Sequence, residues 1–310
     1  MIFLMYGLMC FIFSTTFLVI KLGIEAGLSP IYSAGLRFTL AGILVCLFFA
    51  IKKASFPRSL QTYIQLCLIG LSLTGMTFAT LYWAEQYISS GLAALLSSTG
   101  PIIISFFSAI LYKQKSTPLQ VMGLIISFLG VSVITLPSIL GTIDTKWLVG
   151  AIAVIIGEVF YSLGTVKLKS ISSSNYSPFL LNGIQMFFGG IGLLIFSVLT
   201  ESKSITLAMN MQGMLSILYL TIIGSIVGHG IYAWLIKKTN PLFPSTWLYI
   251  SPVVALILGS VLLKEELSFY IFIGGFMILL GLFFVNVRAL QQLFLKRRLV
   301  ETSDTSSKIS

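Results

Sequence analysis

The sequence predicts an all-α integral membrane protein of ten transmembrane helices, arranged as two inverted-topology five-helix repeats. Three observations lead there. Of 310 residues, 57% are hydrophobic and 9% charged, with a mean hydropathy of +1.02, whereas soluble domains carry roughly 25% charged residues. The apolar residues lie in continuous runs of about 20, the length at which a helix crosses a hydrocarbon core about 30 Å thick; barrel strands alternate instead over ~10-residue segments. Finally, the chain repeats itself.

The repeat is carried by markers. Pro101, Lys113, Gly123 and Gly130 recur 151 residues later as Pro252, Lys264, Gly274 and Gly281. Ser14, Lys21, Ser29 and Pro30 recur 148 residues later as Ser162, Lys169, Ser177 and Pro178. The difference of 3 equals the extra length of the polar stretch 200–212 over its counterpart 52–61. Residues 1–137 therefore form the first repeat, 138–147 a connector, 148–287 the second repeat and 288–310 a basic tail.

In chain order the spans run near 2–20, 31–51, 62–83, 91–112, 118–137, 148–166, 179–199, 213–236, 244–263 and 269–287. The second and seventh begin beside the duplicated Ser-Pro pairs, since proline suits a first helical turn. The fourth and ninth each contain a duplicated proline, Pro101 and Pro252, which removes a backbone hydrogen bond inside the membrane. The first span lacks a preceding basic residue and has a mid-chain counterpart, so it is read as retained structure rather than a secretory signal.

Loop charge sets the orientation. Lys and Arg number 14 on the segments sharing a side with both ends of the chain and 4 on the other, so the positive-inside bias predicts both termini in the cytoplasm. This distribution also accounts for the net charge of +10 without a nucleic-acid partner. Cys10, Cys46 and Cys67 fall inside apolar runs without metal-ligand spacing and read as small buried hydrophobes.

Five spans per repeat invert the second copy relative to the first, an arrangement found in secondary transporters with a midplane site between the copies. The chain also resembles the drug/metabolite transporter superfamily, in its EamA-type ten-span branch. The resemblance is carried by Phe13 to Phe17 with Lys21, Pro30 with Arg37 and Phe38, residues 93–111, and residues 244–263 followed by Lys264, Glu265 and Glu266. Two positions depart from the family pattern: Phe13 stands where tryptophan is usual, and Gln114 and Lys115 where an acidic residue is usual. The resemblance implies a central cavity bordered by spans one, three, four, six, eight and nine. It further implies transport of a small metabolite, often export of an amino acid or related compound, without ATP and with no cofactor. The implied partners are the substrate and the bilayer, with a homodimer left open.

Glu158 lies mid-span, where an ionisable group costs about 2.5 to 3.5 kcal/mol on insertion scales and should face the bundle interior. It reads as a proton-linked or cation-binding carboxylate, the alternative being a protonated carboxyl bonded to a neighbouring helix. His229, the sole histidine, sits in a run of small residues and suits proton exchange; a structural hydrogen bond is its alternative. Arg37 and Gln185 share a repeat position, and Arg37 either attracts an anionic group or pairs with Glu25 or Glu85. Tyr161, one turn after Glu158, and Trp247 are candidate cavity walls. Ser98 and Thr99 flank the carbonyls that Pro101 frees, and Pro101 and Pro252 are candidate gating kinks. No HExxH, GxSxG or GxxxxGK[ST] pattern occurs, which argues against an enzyme or an ATP-driven pump. A channel or lipid scramblase remains open as the alternative to a carrier.

Overall fold

The computed structural model describes residues 1–88, 90–113, 116–139, 145–172, 175–201, 210–251, 254, 270 and 272–285, and of residues 91 and 134–139 the backbone alone. The described residues form helices and no strands. These are α1 (Ile2–Glu25), α2 (Pro30–Ile51), α3 (Leu60–Ala84), α4 (Ser90–Ser97), α5 (Gly100–Tyr112), α6 (Pro118–Ile139), α7 (Thr145–Ser172), α8 (Pro178–Thr200), α9 (Met211–Lys238), α10 (Leu242–Ser245) and α11 (Phe272–Val285).

Among the described residues, seven stretches are long and apolar enough to cross a membrane: α1, α2, α3, residues Leu92–Tyr112, α7, α8 and α9. Pro118–Val133 and Phe272–Val285 are shorter apolar helices. Most of the ninth expected span, Pro252 included, lies outside the described residues. Several helices outrun the apolar stretch that announced them: α1 continues past Lys21, and α7 carries Lys167 and Lys169 within its last turns. Their outer faces expose Leu47, Phe48, Leu68, Phe196, Leu199 and Phe276, a surface that only lipid can cover without cost.

The duplicated markers explain the local structure. Pro30 and Pro178 occupy the first turn of α2 and α8 after an extended Ser29 and Ser177. At the start of α2 the free amides of Ile31 and Tyr32 donate to the Glu201 carboxylate, both at 2.9 Å, a negative group at the positive end of a helix. Pro101 opens α5, so the fourth expected span is divided into α4 and α5.

Glycines bring the copies together. A Cβ on Gly42 would lie 2.6 Å from the Phe187 nitrogen, and one on Gly190 2.5 Å from that of Thr39. Gly35 likewise abuts Leu194, and Gly183 abuts Val45. Rising numbers on α2 meet falling numbers on α8, so these helices run antiparallel, and Gly35 and Gly42 are the 148-residue counterparts of Gly183 and Gly190. The same holds for α6 and α11, where Gly123 meets Gly281 and Gly130 meets Gly274. In each pair the contact joins residues that the 148- and 151-residue spacings relate crosswise. Small residues permit such close approach in lipid, where hydrophobicity does not hold helices together.

Two further repeated details bear on the interior. α3 widens into a π-helical segment at Leu71–Met76, and α9 does so at Leu220–His229, its 151-residue counterpart region. Across the first, Ser72 and Thr77 hydroxyls donate to the carbonyls of Phe160 (2.7 Å) and Gly157 (3.3 Å) on α7. The second detail is a pair of lysine caps. Lys21 donates to the Glu85 carbonyl at 2.6 Å. Lys169 donates to the carbonyls of Ile236 (2.9 Å), Lys237 (3.2 Å) and Thr239 (2.8 Å). Each lysine thus satisfies the C-terminal carbonyls of a helix from the corresponding position in its own copy.

Candidate functional site

Between α1, α3, α7 and α9 the bundle forms a small, partly open cavity of about 40 Å³. α1 contributes Phe13, Thr16, Phe17 and Ile20; α2, Arg37; α3, Thr77, Phe78 and Leu81; α4, Ser97; α7, Glu158 and Tyr161; α9, His229; Trp247 and Leu248 follow α10. These elements are those the family resemblance implied, with the second span added through Arg37.

Glu158 is buried, with 5% of its surface exposed. Its carboxyl interacts with the Ser97 side chain, and Oε2 has no hydrogen-bond partner. Helix α7 presents it because Gly157, the preceding residue, lies against Thr77 and Thr80 of α3. Tyr161, on the same face, accepts a hydrogen bond from Trp247 Nε1 at 3.3 Å, and its ring lies 5.9 Å from that of Tyr232. Tyr232 in turn bonds Thr165 (3.0 Å) and Ser245 (2.9 Å). This chain of hydroxyls fixes the rotamers of the aromatic wall.

Trp247 stacks at 4.6 Å on Phe13, and Phe13 lies 4.9 Å from His229. His229 is enclosed by Phe13, Phe38 (5.6 Å) and Phe78 (5.7 Å). Arg37 is 1% exposed. Its Nη1 donates to the Tyr82 hydroxyl at 2.8 Å, its Cζ sits 4.2 Å from the Phe38 ring and 5.1 Å from that of Phe78, and Nε has no partner. A buried guanidinium held by a phenol and two ring faces is stabilised by cation–π attraction yet keeps a free donor toward the cavity region.

The structure therefore brings Glu158, His229, Arg37, Tyr161 and Trp247 to one cavity. Gln185, Ser98 and Thr99 do not line it, and Pro252 lies outside the described residues. Gln185 lies in the contact between α8 and α3, accepting from Thr74 Oγ1 at 3.0 Å and donating to Asn182 at 2.9 Å. Ser98 and Thr99, in the turn between α4 and α5, direct their hydroxyls to the carbonyls of Leu95 (2.5 Å) and Leu96 (2.8 Å) of α4. Near Pro101, the Gly100 carbonyl accepts from Ser162 at 3.2 Å, so that oxygen is satisfied by protein. Arg37 bonds Tyr82 rather than a carboxylate, because Tyr82 faces it from α3 while Glu85 lies past the end of that helix.

Sequence reasoning missed Ser97, Phe78 and Tyr82. One signal was present for Phe78: it is the 151-residue counterpart of His229, and the two rings meet. Among the described residues no cluster of three or more histidine, cysteine or acidic side chains forms a metal site.

Known proteins with similar sequences are membrane transporters. The chain is 31% identical over 258 residues to the "Uncharacterized inner membrane transporter YedA" of Escherichia coli (strain K12), covering 83% of this chain and 81% of that one. It is 33% identical over 259 residues to an "Uncharacterized transporter" of Archaeoglobus fulgidus, covering 83% and 89%. A solved crystal structure of a protein at 18% identity matches with a TM-score of 0.72 over 92% of this chain and 97% of that one, a likeness of fold. The profile of the EamA-like transporter family matches residues 1–136 and 148–287, which together take in nearly all of the helical bundle, so this multi-pass membrane protein belongs to the EamA-like transporter family.

Proposed function

We propose that this chain is a secondary transporter, driven without ATP, that exports or exchanges a small metabolite of the amino acid class by alternating access of two inverted five-span repeats. The single observation that carries this reading is the internal cavity lined at once by Glu158, His229, Arg37 and an aromatic wall. Arg37 is suited to an anionic group and Glu158 to an ammonium group or a proton, while Phe13, Phe17 and Trp247 offer an apolar surface. An intramembrane carboxylate, guanidinium and imidazole in one cavity are costly, and such groups mark substrate or ion pathways.

Alternation is supported by repeated parts at both ends. The Lys21 and Lys169 caps, the paired π-helical segments and the glycine contacts supply each copy with the same joints, and π-segments recur at functional sites. The reading includes an inner or plasma membrane location with both termini cytoplasmic, which makes the Lys169 end the inner one.

The test is a panel of amino acids and related metabolites offered to the purified protein in liposomes, with and without a proton gradient. Saturable uptake with counterflow, lost in Glu158→Gln, supports the carrier. Unsaturable flux would refute it in favour of a channel or scramblase.

A further inference from the structure

Glu85 stands just past the end of α3, outside the site described above, and is fully buried. Neither of its carboxylate oxygens has a hydrogen-bond partner, although its backbone carbonyl holds the Lys21 ammonium at 2.6 Å. About one turn earlier on α3, Tyr82 accepts from Arg37, whose Nε is also without a partner. Two cations and one carboxylate thus gather near the end of α3, Arg37 alone of the three lining the cavity, and neither carboxylate oxygen has a hydrogen bond to either cation. The corresponding positions at the opposite end, Lys169, Gln185 and Ile236, keep the lysine but lack the other two charges.

The charges that act on the Glu85 carboxyl are Lys21 on α1 and Arg37 on α2. Tyr82 belongs to its own helix, His229 of α9 faces Arg37 across Phe78, and Lys146 of α7 lies 5.8 Å from the Tyr87 ring. Burial pushes the carboxyl well above the usual carboxylate range, and Lys21, then Arg37, pull it back. The state of Glu85 therefore answers to its burial first, then to Lys21, and then to the Arg37 charge.

Building on the proposed transport reading, we propose that Arg37 and Glu85 form a coupled carboxylate and proton site, in which the substrate's carboxylate binds Arg37 when Glu85 is protonated. Ionised Glu85 competes for Arg37 and repels a second carboxylate brought beside it. Protonated Glu85 withdraws from that competition and leaves the guanidinium to the substrate. The coupling is reciprocal, so a bound carboxylate raises proton affinity at Glu85 by the same factor that the proton raises carboxylate affinity. The balance is one anion and one proton: the proton comes from water to a Glu85 oxygen, and both depart together on the other side.

The probe is benzoate, an aromatic monocarboxylate matched to the ring-lined cavity and anionic over about pH 6 to 9. Binding to the full-length protein in detergent is measured by titration calorimetry across that range, in two buffers of different ionisation enthalpy to count protons. Wild type should weaken up to about tenfold per pH unit once Glu85 ionises, with about one proton taken up per benzoate there. Glu85→Gln should bind tightly with a flat pH profile and no proton uptake, and Arg37→Gln should lose binding. A flat profile in wild type, the wild-type profile in Glu85→Gln, or no benzoate binding to wild type at any pH would overturn the proposal. Should Glu85→Gln fail to fold, the proton count in Glu158→Gln decides, because Glu85 is then the remaining carboxyl near Arg37, and loss of proton uptake there would overturn the proposal. Liposome transport of uncharged or cationic metabolites alongside a negative benzoate result would leave the transporter reading standing, whereas benzoate and proton linkage without any transport would overturn the transporter reading instead.

Discussion

The contact between α2 and α8 makes a quantitative prediction in which one substitution changes sign with position. In Gly42→Ala the new methyl would sit 2.6 Å from the Phe187 nitrogen and 2.7 Å from its Cα, whereas carbon contacts are optimal at about 3.5 to 4.0 Å. The obstacle is backbone, which cannot rotate aside, so the helices must part by about 1 Å along a contact that spans most of both. Overpacking of this kind costs about 1 to 3 kcal/mol. Gly190→Ala should cost a similar amount, because a Cβ there meets the Thr39 backbone, and the double substitution should cost less than the sum, since one separation relieves both clashes. Gly7, on the exposed face of α1, has nothing within 4 Å of a Cβ. There alanine removes only the glycine penalty and should stabilise by about 0.5 to 1 kcal/mol. Unfolding in detergent followed by circular dichroism gives the comparison. If Gly42→Ala is as stable as Gly7→Ala, the close antiparallel contact is not present as described.

Glu158→Gln should remain folded and inserted, because the amide keeps the shape, but lose most proton-driven or cation-dependent transport; a wild-type rate and pH profile in liposomes would make the carboxylate structural. His229→Gln should give a smaller defect, and the double mutant a less than additive one, if the two groups share protons across the cavity. Lys169→Ala should lower stability more than Lys21→Ala, since three carbonyls lose a charged donor against one; equal shifts in unfolding would show that the caps carry no such difference. Reporter fusions after Arg58, at Thr239 and at the C-terminus should all report cytoplasm, and an external signal from the last would refute the inverted arrangement.

Much of the helical order was legible because lipid imposes one solution on a run of about 20 apolar residues: the backbone must satisfy its own hydrogen bonds. The Ser-Pro pairs marked where α2 and α8 begin, and the spacings of 148 and 151 identified which segments correspond. Legibility stopped where helical phase and distant contact took over. Ser97, Ser98 and Thr99 are adjacent, yet of these only Ser97 lines the cavity, because it ends α4 while Ser98 and Thr99 lie in the turn before α5 and spend their hydroxyls on the carbonyls of Leu95 and Leu96. Glu25 and Glu85 were sensible partners for Arg37 by side of the membrane, but Tyr82 has the position on α3 that the guanidinium can reach. The π-helical segments left no trace in the apolar pattern, since one extra residue per turn does not change which residues are hydrophobic.

A comparison of the two copies would have sharpened the site. Glu158 stands opposite Cys10, His229 opposite Phe78, and Arg37 opposite Gln185, so the polar groups of the cavity sit where the copies have diverged. What the amino-acid sequence determined by itself was therefore the helical membrane class and the recurrences at 148 and 151 residues, each of which follows from composition and spacing along one dimension. Only the tertiary structure decided that Glu158, His229 and Arg37 line one cavity, that Gln185 does not, and that the Glu85 carboxylate is buried without a hydrogen-bond partner while its carbonyl holds Lys21. Those facts depend on the rotation of each helix about its axis against neighbours far away in the chain, which backbone hydrogen bonding leaves free and side-chain contacts alone set.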